Sequence, residues 1–172
     1  MIVRETKKED LARVADLHAR SIRLLCQDHY TPAQIRAWTD VLNPVVYESA
    51  LTAKYCIVAC DGNTILGMGM LSLEDGEIHA VYVDPDQSGR GVGSLILSHL
   101  EETARQHDVM ELTVFATLNA RGFYEGKGYN AIRPALHSLP NGLQLECIEM
   151  RKRLDSAGTD AEFCRRITVP GA

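Results

Sequence analysis

A strand that passes through a glycine loop into a helix constrains this chain more than any other feature. The stretch is EIHAVYVDPDQSGRGVGSLILSHLEE, residues 77–102. EIHAVYV is rich in residues that favour strands, and Asp84-Pro85-Asp86 ends it. On strict alternation, Glu77, His79, Val81 and Val83 share one face, and Ile78, Ala80 and Tyr82 share the other. From Gly91 to about Gln106, Leu95, Ile96, Leu97 and Leu100 turn inward while Glu101, Glu102 and Arg105 face out, as in an amphipathic helix. The loop between them, Gln87-Ser88-Gly89-Arg90-Gly91-Val92-Gly93, exposes successive backbone N–H groups. The new helix adds its free N-terminal donors and the positive end of its dipole. Such a construction suits a phosphate or pyrophosphate, with glycine letting the anion approach the backbone and Arg90 adding a charged donor.

Two familiar phosphate loops do not fit. A Walker loop ends in Gly-Lys-Ser/Thr, whereas Gly93 is followed by Ser94 and Leu95. A dinucleotide fingerprint is G-x-G-x-x-G at the first strand-to-helix turn of a βαβ unit, whereas this loop is G-x-G-x-G in mid-chain, after a hairpin. The segment resembles motif A of the GNAT superfamily of N-acetyltransferases, Q/R-x-x-G-x-G/A. That resemblance implies an α/β fold with a mixed, largely antiparallel central sheet flanked by helices, and acetyl-CoA as acyl donor. It places the pantetheine arm on the backbone of Val81, Tyr82 and Val83. The pyrophosphate falls over Ser88, Gly89, Arg90, Gly91, Val92, Gly93 and Ser94. One position departs from the motif: Ser88 stands where Gln or Arg is usual, with a glutamine one residue earlier at Gln87.

The order of elements agrees with the resemblance over residues 1–154, leaving 155–172 as a polar tail. MIVRE reads as a strand and Thr6-Lys7-Lys8-Glu9 as a capping box that opens a helix running to about Gln27. Thr31-Pro32-Ala33-Gln34 opens a second helix, which carries Trp38 and ends at Asn43-Pro44. YCIVAC and TILGMGMLSL form a hairpin around Asp61-Gly62-Asn63. ELTVFA, YNAIRP and GLQLECIEM are later strands, and Asn119 to Lys127 is a short helix. A second GNAT motif, N-x-x-A-x-x-x-Y-x-x-x-G-F/Y, is resembled by VFATLNARGFYEGKGY, with Ala120, Tyr124, Gly128 and Tyr129 in register. Thr117 occupies the asparagine slot, and Asn119 either compensates as a cofactor contact or caps the helix.

Acetyl transfer to an amine needs the neutral amine. Deprotonating a lysine-like amine at pH 7 costs about 4.6 kcal/mol, against about 1 kcal/mol for an α-amine. In family members that use a general base, the resemblance points to the slots held here by Glu77 and His79. Glu77 is the first choice, acting through a water, with His79 as alternative or partner; a solvated strand end is the competing account of Glu77. Tyr124 matches the general acid that returns a proton to the CoA thiolate, against a purely structural role as a core tyrosine. Backbone N–H groups near Val81 and Val83 can polarise the thioester carbonyl. The resemblance places the acceptor pocket near Gln27, Asp28, His29, Tyr30, Trp38 and His137, an aromatic and partly acidic setting suited to a cationic amine. Tyr30 and Trp38 suit the core better than the pocket, because a helical stripe of large residues usually packs inward.

Composition narrows the remaining choices. A net charge of −5 with both signs spread along the 172 residues gives no basic face for nucleic acid. The N-terminus turns charged within four residues, and no apolar run is long enough to span a bilayer, so a cytoplasmic protein with no membrane partner is expected. Cys26, Cys56, Cys60, Cys147 and Cys164 include no C-x-x-C pair and read as reduced thiols, with no metal site and no acetyl-cysteine nucleophile. The expected partner is a small-molecule or peptide amine, transferred to by direct attack in a ternary complex. A homodimer is compatible with the resemblance. The competing reading is a non-catalytic acyl-CoA-binding module, either a sensor or an interaction module.

Overall fold

The computed structural model describes residues 1–154; the tail of residues 155–172 and Cys164 lie outside the described residues. Seven strands form one sheet in the order β1-β2-β3-β4-β5-β7-β6. They are β1 (Ile2–Glu5), β2 (Tyr55–Asp61), β3 (Thr64–Ser72), β4 (Glu77–Val83), β5 (Glu111–Thr117), β6 (Asn130–Ser138) and β7 (Gln144–Arg153). Every pairing is antiparallel except β4 with β5. Helices α1 (Leu11–Leu25), α2 (Pro32–Thr39), α3 (Pro44–Ala53), α4 (Val92–Gln106) and α5 (Arg121–Glu125) complete the fold. The expected mixed, largely antiparallel α/β architecture is therefore present.

Alternation along β2 and β3 sets the two faces. Ile57, Ala59 and Leu71 pack with Ile96, Leu97 and Leu100 of α4. Cys56, Val58, Met68 and Met70 pack on the other side with Leu11, Val14 and Leu17 of α1 and Tyr47 of α3. Full burial of each large aliphatic side chain contributes roughly 1.5–3 kcal/mol. α4 sits so close to β3 that a Cβ on Gly69 would lie 2.6 Å from Ile96 Cγ2. No side chain fits there without shifting the helix.

Three local expectations are corrected. The acidic partner at the start of α1 is Asp10 rather than Glu9. Its carboxylate accepts from the Lys7 N–H at 2.8 Å and from the Arg4 guanidinium at 2.7 and 3.0 Å. A 3₁₀ turn over Lys8–Asp10 therefore precedes the helix. Asn43 does not merely end α2: its Oδ1 accepts from Val45 and Val46 N–H and opens α3. That helix escaped the periodicity reading because Val45 and Val46 face solvent. At the start of α2, Thr31 and Gln34 do form the expected reciprocal cap, with Thr31 N–H donating to Gln34 Oε1 and Gln34 N–H to Thr31 Oγ1.

The third correction concerns β4. Met70 pairs with Ala80 and Leu71 with Ile78, so His79 is an extra residue without its own partner on β3, a β-bulge. The bulge reverses the alternation. Ile78 joins Val81 and Val83 on the α4 side, while Ala80 and Tyr82 lie on the α1 side. Beyond the bulge β4 leaves β5 as well: the two pair only through Glu77 with Thr113 and Ile78 with Val114. Residues 79–83 are left without a β5 partner, and a wedge opens between two strands of a continuous sheet.

Candidate active site

The wedge leads into a cavity of about 390 Å³, within the size range of small-ligand sites. One side is the β4 stretch Val81, Tyr82 and Val83. One end is the glycine loop, contributing Gln87, Ser88, Gly89 and Gly91 through Ser94. Gly89 and Gly91 adopt φ of +76° and +81°, the left-handed region that glycine enters without strain. The first helical hydrogen bond runs from Leu95 N–H to Gly91 C=O. The amides of Gly91, Val92, Gly93 and Ser94 therefore precede the helical ladder and stand free at the positive end of α4.

Of the residues assigned to the cofactor from sequence, Arg90 alone does not line the cavity. Its guanidinium instead donates to Gln87 Oε1 at 2.7 Å, tying the loop to itself. Thr117, Asn119 and Tyr124 close the opposite side with Phe123. Asn119 caps nothing; its Oδ1 accepts from the Cys26 thiol at 3.5 Å. Burial pushes that thiol up to about 11, partly offset by the same hydrogen bond.

Tyr124 is 5% exposed and packs edge-on against Phe123 and Tyr129 at 5.1 and 5.4 Å. Burial raises its phenol well above the usual tyrosine range. Tyr82 and Tyr124 also border a smaller cavity of about 40 Å³ in the wedge itself, together with His79. His79 Nδ1 lies 3.2 Å from Glu77 Oε1. Burial lowers the imidazole's pKa, with the Glu77 charge opposing the shift. Glu77 lines neither cavity, and its partner His79 lines only the smaller one. Asp75, Glu77 and His79 place their donor atoms within 4.8 Å of one another, a clustering that the His79–Glu77 contact and the Asp75–Glu77 turn account for without an ion.

The residues expected around the acceptor are not brought to this cavity. Tyr30 is buried, with its hydroxyl donating to Glu146 C=O at 2.6 Å and accepting from Leu118 N–H at 3.1 Å. Trp38 packs edge-on against it in an apolar cluster with Leu139, Leu145 and Cys26, behind the cavity wall that Cys26 also lines. His29 is exposed in the loop between α1 and α2, and His137 is exposed on β6. Sequence reasoning missed the residues at the end of α1 that do line the cavity, Ser21, Leu25 and the C-cap Cys26. Their helical spacing is visible in the chain, but which face of α1 turns toward β4 is not.

A family model described as an acetyltransferase (GNAT) domain matches residues 26–154. The chain belongs to the GNAT acetyltransferases. Their acyl donor is acetyl-CoA and their acceptors are amines. This GNAT chain is 30% identical to a GCN5-related N-acetyltransferase of Rhodopseudomonas palustris, also described as a class-II aminotransferase. Their crystal-structure comparison covers 89% of this chain and 95% of that one, with a TM-score of 0.84. The uncharacterized N-acetyltransferase YafP of Escherichia coli K12 is 24% identical over 131 residues, 76% of this chain and 82% of its own. The PaiA N-acetyltransferase of Thermoplasma acidophilum, solved with coenzyme A, shares the fold at 15% identity, with a TM-score of 0.71 over 89% of this chain and 98% of that one. Among the described residues of this GNAT protein, no helix is long and apolar enough to cross a membrane.

Proposed function

We propose that this GNAT protein transfers the acetyl group of acetyl-CoA to a primary amine by direct attack in a ternary complex. The observation that carries the reading is the continuity of one cavity from the free amides of α4, along the unpaired edge of β4, to Tyr124. The diphosphate sits on the amides of Gly91 to Ser94, where backbone donors and the helix dipole act together. The pantetheine arm adds to β4 at Val81–Val83 like an extra strand, taking up groups that β5 leaves unpaired. This puts the thioester beside the bulge, near Tyr124.

The amine nitrogen attacks the thioester carbon, and the carbonyl electrons move to oxygen, which β4 amides stabilise. Collapse of that intermediate breaks the C–S bond. The proton lost by the amine passes through water to the His79–Glu77 pair, and the departing sulfur takes one from the Tyr124 hydroxyl. His79 is suited to receive a proton because its lowered pKa leaves the imidazole neutral at physiological pH. Tyr124 is a weak acid as buried, but the same surroundings raise the basicity of the thiolate it faces.

The test is amine-dependent release of CoA thiol. Tyr124→Phe should lower kcat by at least about tenfold, as expected for a lost proton donor, with the KM for acetyl-CoA changed less than about twofold. Glu77→Gln should lower kcat/KM about tenfold at pH 7 and, for an α-amine acceptor, less at pH 9, where that amine is already neutral. Coenzyme A binding without acetylation of any amine would support the non-catalytic module instead.

A further inference from the structure

The wall that α1 turns toward the β4 edge is uncharged. Ser21, Leu25 and Cys26 stand on one side, and Tyr82 and Tyr124 also border the space. No described residue lining the cavity carries a formal charge at neutral pH. The nearby charges are engaged elsewhere. Arg20, beside Ser21 in the chain, holds Asp84 at 2.7 Å and Asp86 at 3.2 Å. Glu77 is held with His79 outside the main cavity. Asp28, the carboxylate that sequence reasoning placed by the acceptor, is exposed and does not line the cavity.

His18 shows what this side of the sheet does to a basic group. One helical turn before Ser21, its ring lies on Tyr82 with centroids 3.7 Å apart, and its Nδ1 is 2.6 Å from the Tyr47 hydroxyl. Its Nε2 is buried without a protein partner. Burial pushes the imidazole down to about 3, so it stays neutral. An ammonium group arriving against the cavity side of Tyr82 meets Leu25, Cys26 and neutral polar groups, and no carboxylate to offset its lost hydration.

Resting on the acetyltransferase reading above, we propose that the acceptor is a weakly basic primary amine on an uncharged, apolar or aromatic framework that packs against Leu25 and Tyr82. Strongly basic amines, such as lysine side chains and polyamines, are poor substrates. The chemistry agrees with the wall. At pH 7 an α-amine offers several hundredfold more neutral nucleophile than a lysine-type amine, roughly tenfold per unit of pKa. A His79–Glu77 pair that stands outside the main cavity, with His79 lining only the smaller one, suits an acceptor that needs little help to lose its proton.

The experiment uses the full chain with saturating acetyl-CoA at pH 7.5 and four acceptors: phenylalaninamide, tyramine, an Nα-acetylated lysinamide and spermidine. Acetyl-CoA binding is measured alongside by calorimetry. Tyramine separates basicity from aromatic shape. The expected kcat/KM for phenylalaninamide exceeds that for tyramine by at least about tenfold and those for the other two by at least about a hundredfold, following their neutral fractions. Leu25→Glu puts a carboxylate on the wall and should raise the spermidine-to-phenylalaninamide ratio by about tenfold, the size of one charge-assisted contact. Leu25→Gln, of the same shape without the charge, should leave the order unchanged. If a strongly basic amine matches or exceeds phenylalaninamide, the substrate inference falls and the acetyltransferase reading stands. If acetyl-CoA fails to bind, or no amine is acetylated, both fall.

Discussion

On the proposed reading, the two ends of the cavity recognise their ligands by different means. At the glycine loop the recognising atoms are backbone amides, presented by Gly91 through Ser94 with almost no help from side chains. At the α1 end they would be side chains, Ser21, Leu25 and the C-cap residue Cys26, brought from some seventy residues earlier. A backbone site is written in local sequence, because only certain residues permit that conformation. A side-chain site depends on how distant elements pack, and can change by substitution while the fold stays fixed. The proposed donor end would thus be the general part of this enzyme and the α1 end the particular part.

The sharpest way to break that contrast is to spoil one end and watch the other. Gly91 has φ +81° and open space around a hypothetical Cβ. A Cβ there meets nothing within 4 Å, but Gly91→Val costs roughly 1–2 kcal/mol in the left-handed region. A valine there forces the loop to re-aim its amides and puts its methyl groups where the anion approaches. Coenzyme A affinity should fall on the order of a hundredfold by calorimetry, equivalent to about 2.7 kcal/mol. The acceptor KM, extrapolated to saturating acetyl-CoA, should change less than about threefold. An equal loss at both ends would mean that they are one site energetically.

The same division explains what the chain revealed before its structure was known. The glycine loop, the helix after it and the β2–β3 hairpin were legible because their signals lie within a few residues. The reversal of faces along β4 was not, since the bulge at His79 is set by how β3 pairs with it between Met70 and Leu71. Tyr30 looked like a pocket aromatic, yet its hydroxyl is claimed by Glu146 and Leu118, 116 and 88 residues away in sequence. The α1 wall was hidden for the same reason. Ser21 and Leu25 show helical spacing, but only the tertiary fold says what they face.

A second expectation tests the low polarity behind that wall. His18 has its pKa depressed to about 3 in the folded protein, from 6.5 when free. Below pH 6.5 the unfolded chain binds a proton that the native state refuses until about pH 3. The associated stability is complete above pH 6.5 and is lost progressively as pH falls from there toward 3. By pH 5 the loss should be about 2 kcal/mol, read as a shift in urea-unfolding free energy from its value at pH 7.5. His18→Phe keeps an aromatic ring on Tyr82 and should remove most of that pH dependence. A slope unchanged in this variant would mean that His18 is solvated, and that the α1 side is wetter than its packing indicates.

The smallest effect is expected where the two ends meet. Asn119 lines the cavity opposite the glycine loop and accepts the Cys26 thiol hydrogen bond from the α1 side. A thiol is a weak donor and the 3.5 Å contact is long, so Asn119→Ala should cost well under 1 kcal/mol in stability. If Asn119 serves mainly to fix Cys26 in the acceptor wall, the acceptor KM should rise about threefold, equivalent to about 0.7 kcal/mol, while coenzyme A affinity stays within about twofold. If it serves mainly as a cofactor contact, the opposite pattern follows, with coenzyme A weakened and the acceptor unaffected. Either result assigns this residue to one end. Equal changes in both would show instead that the C-terminus of α1 and the β5 end move as a single wall, and the contrast between backbone and side-chain recognition would then hold only at the loop.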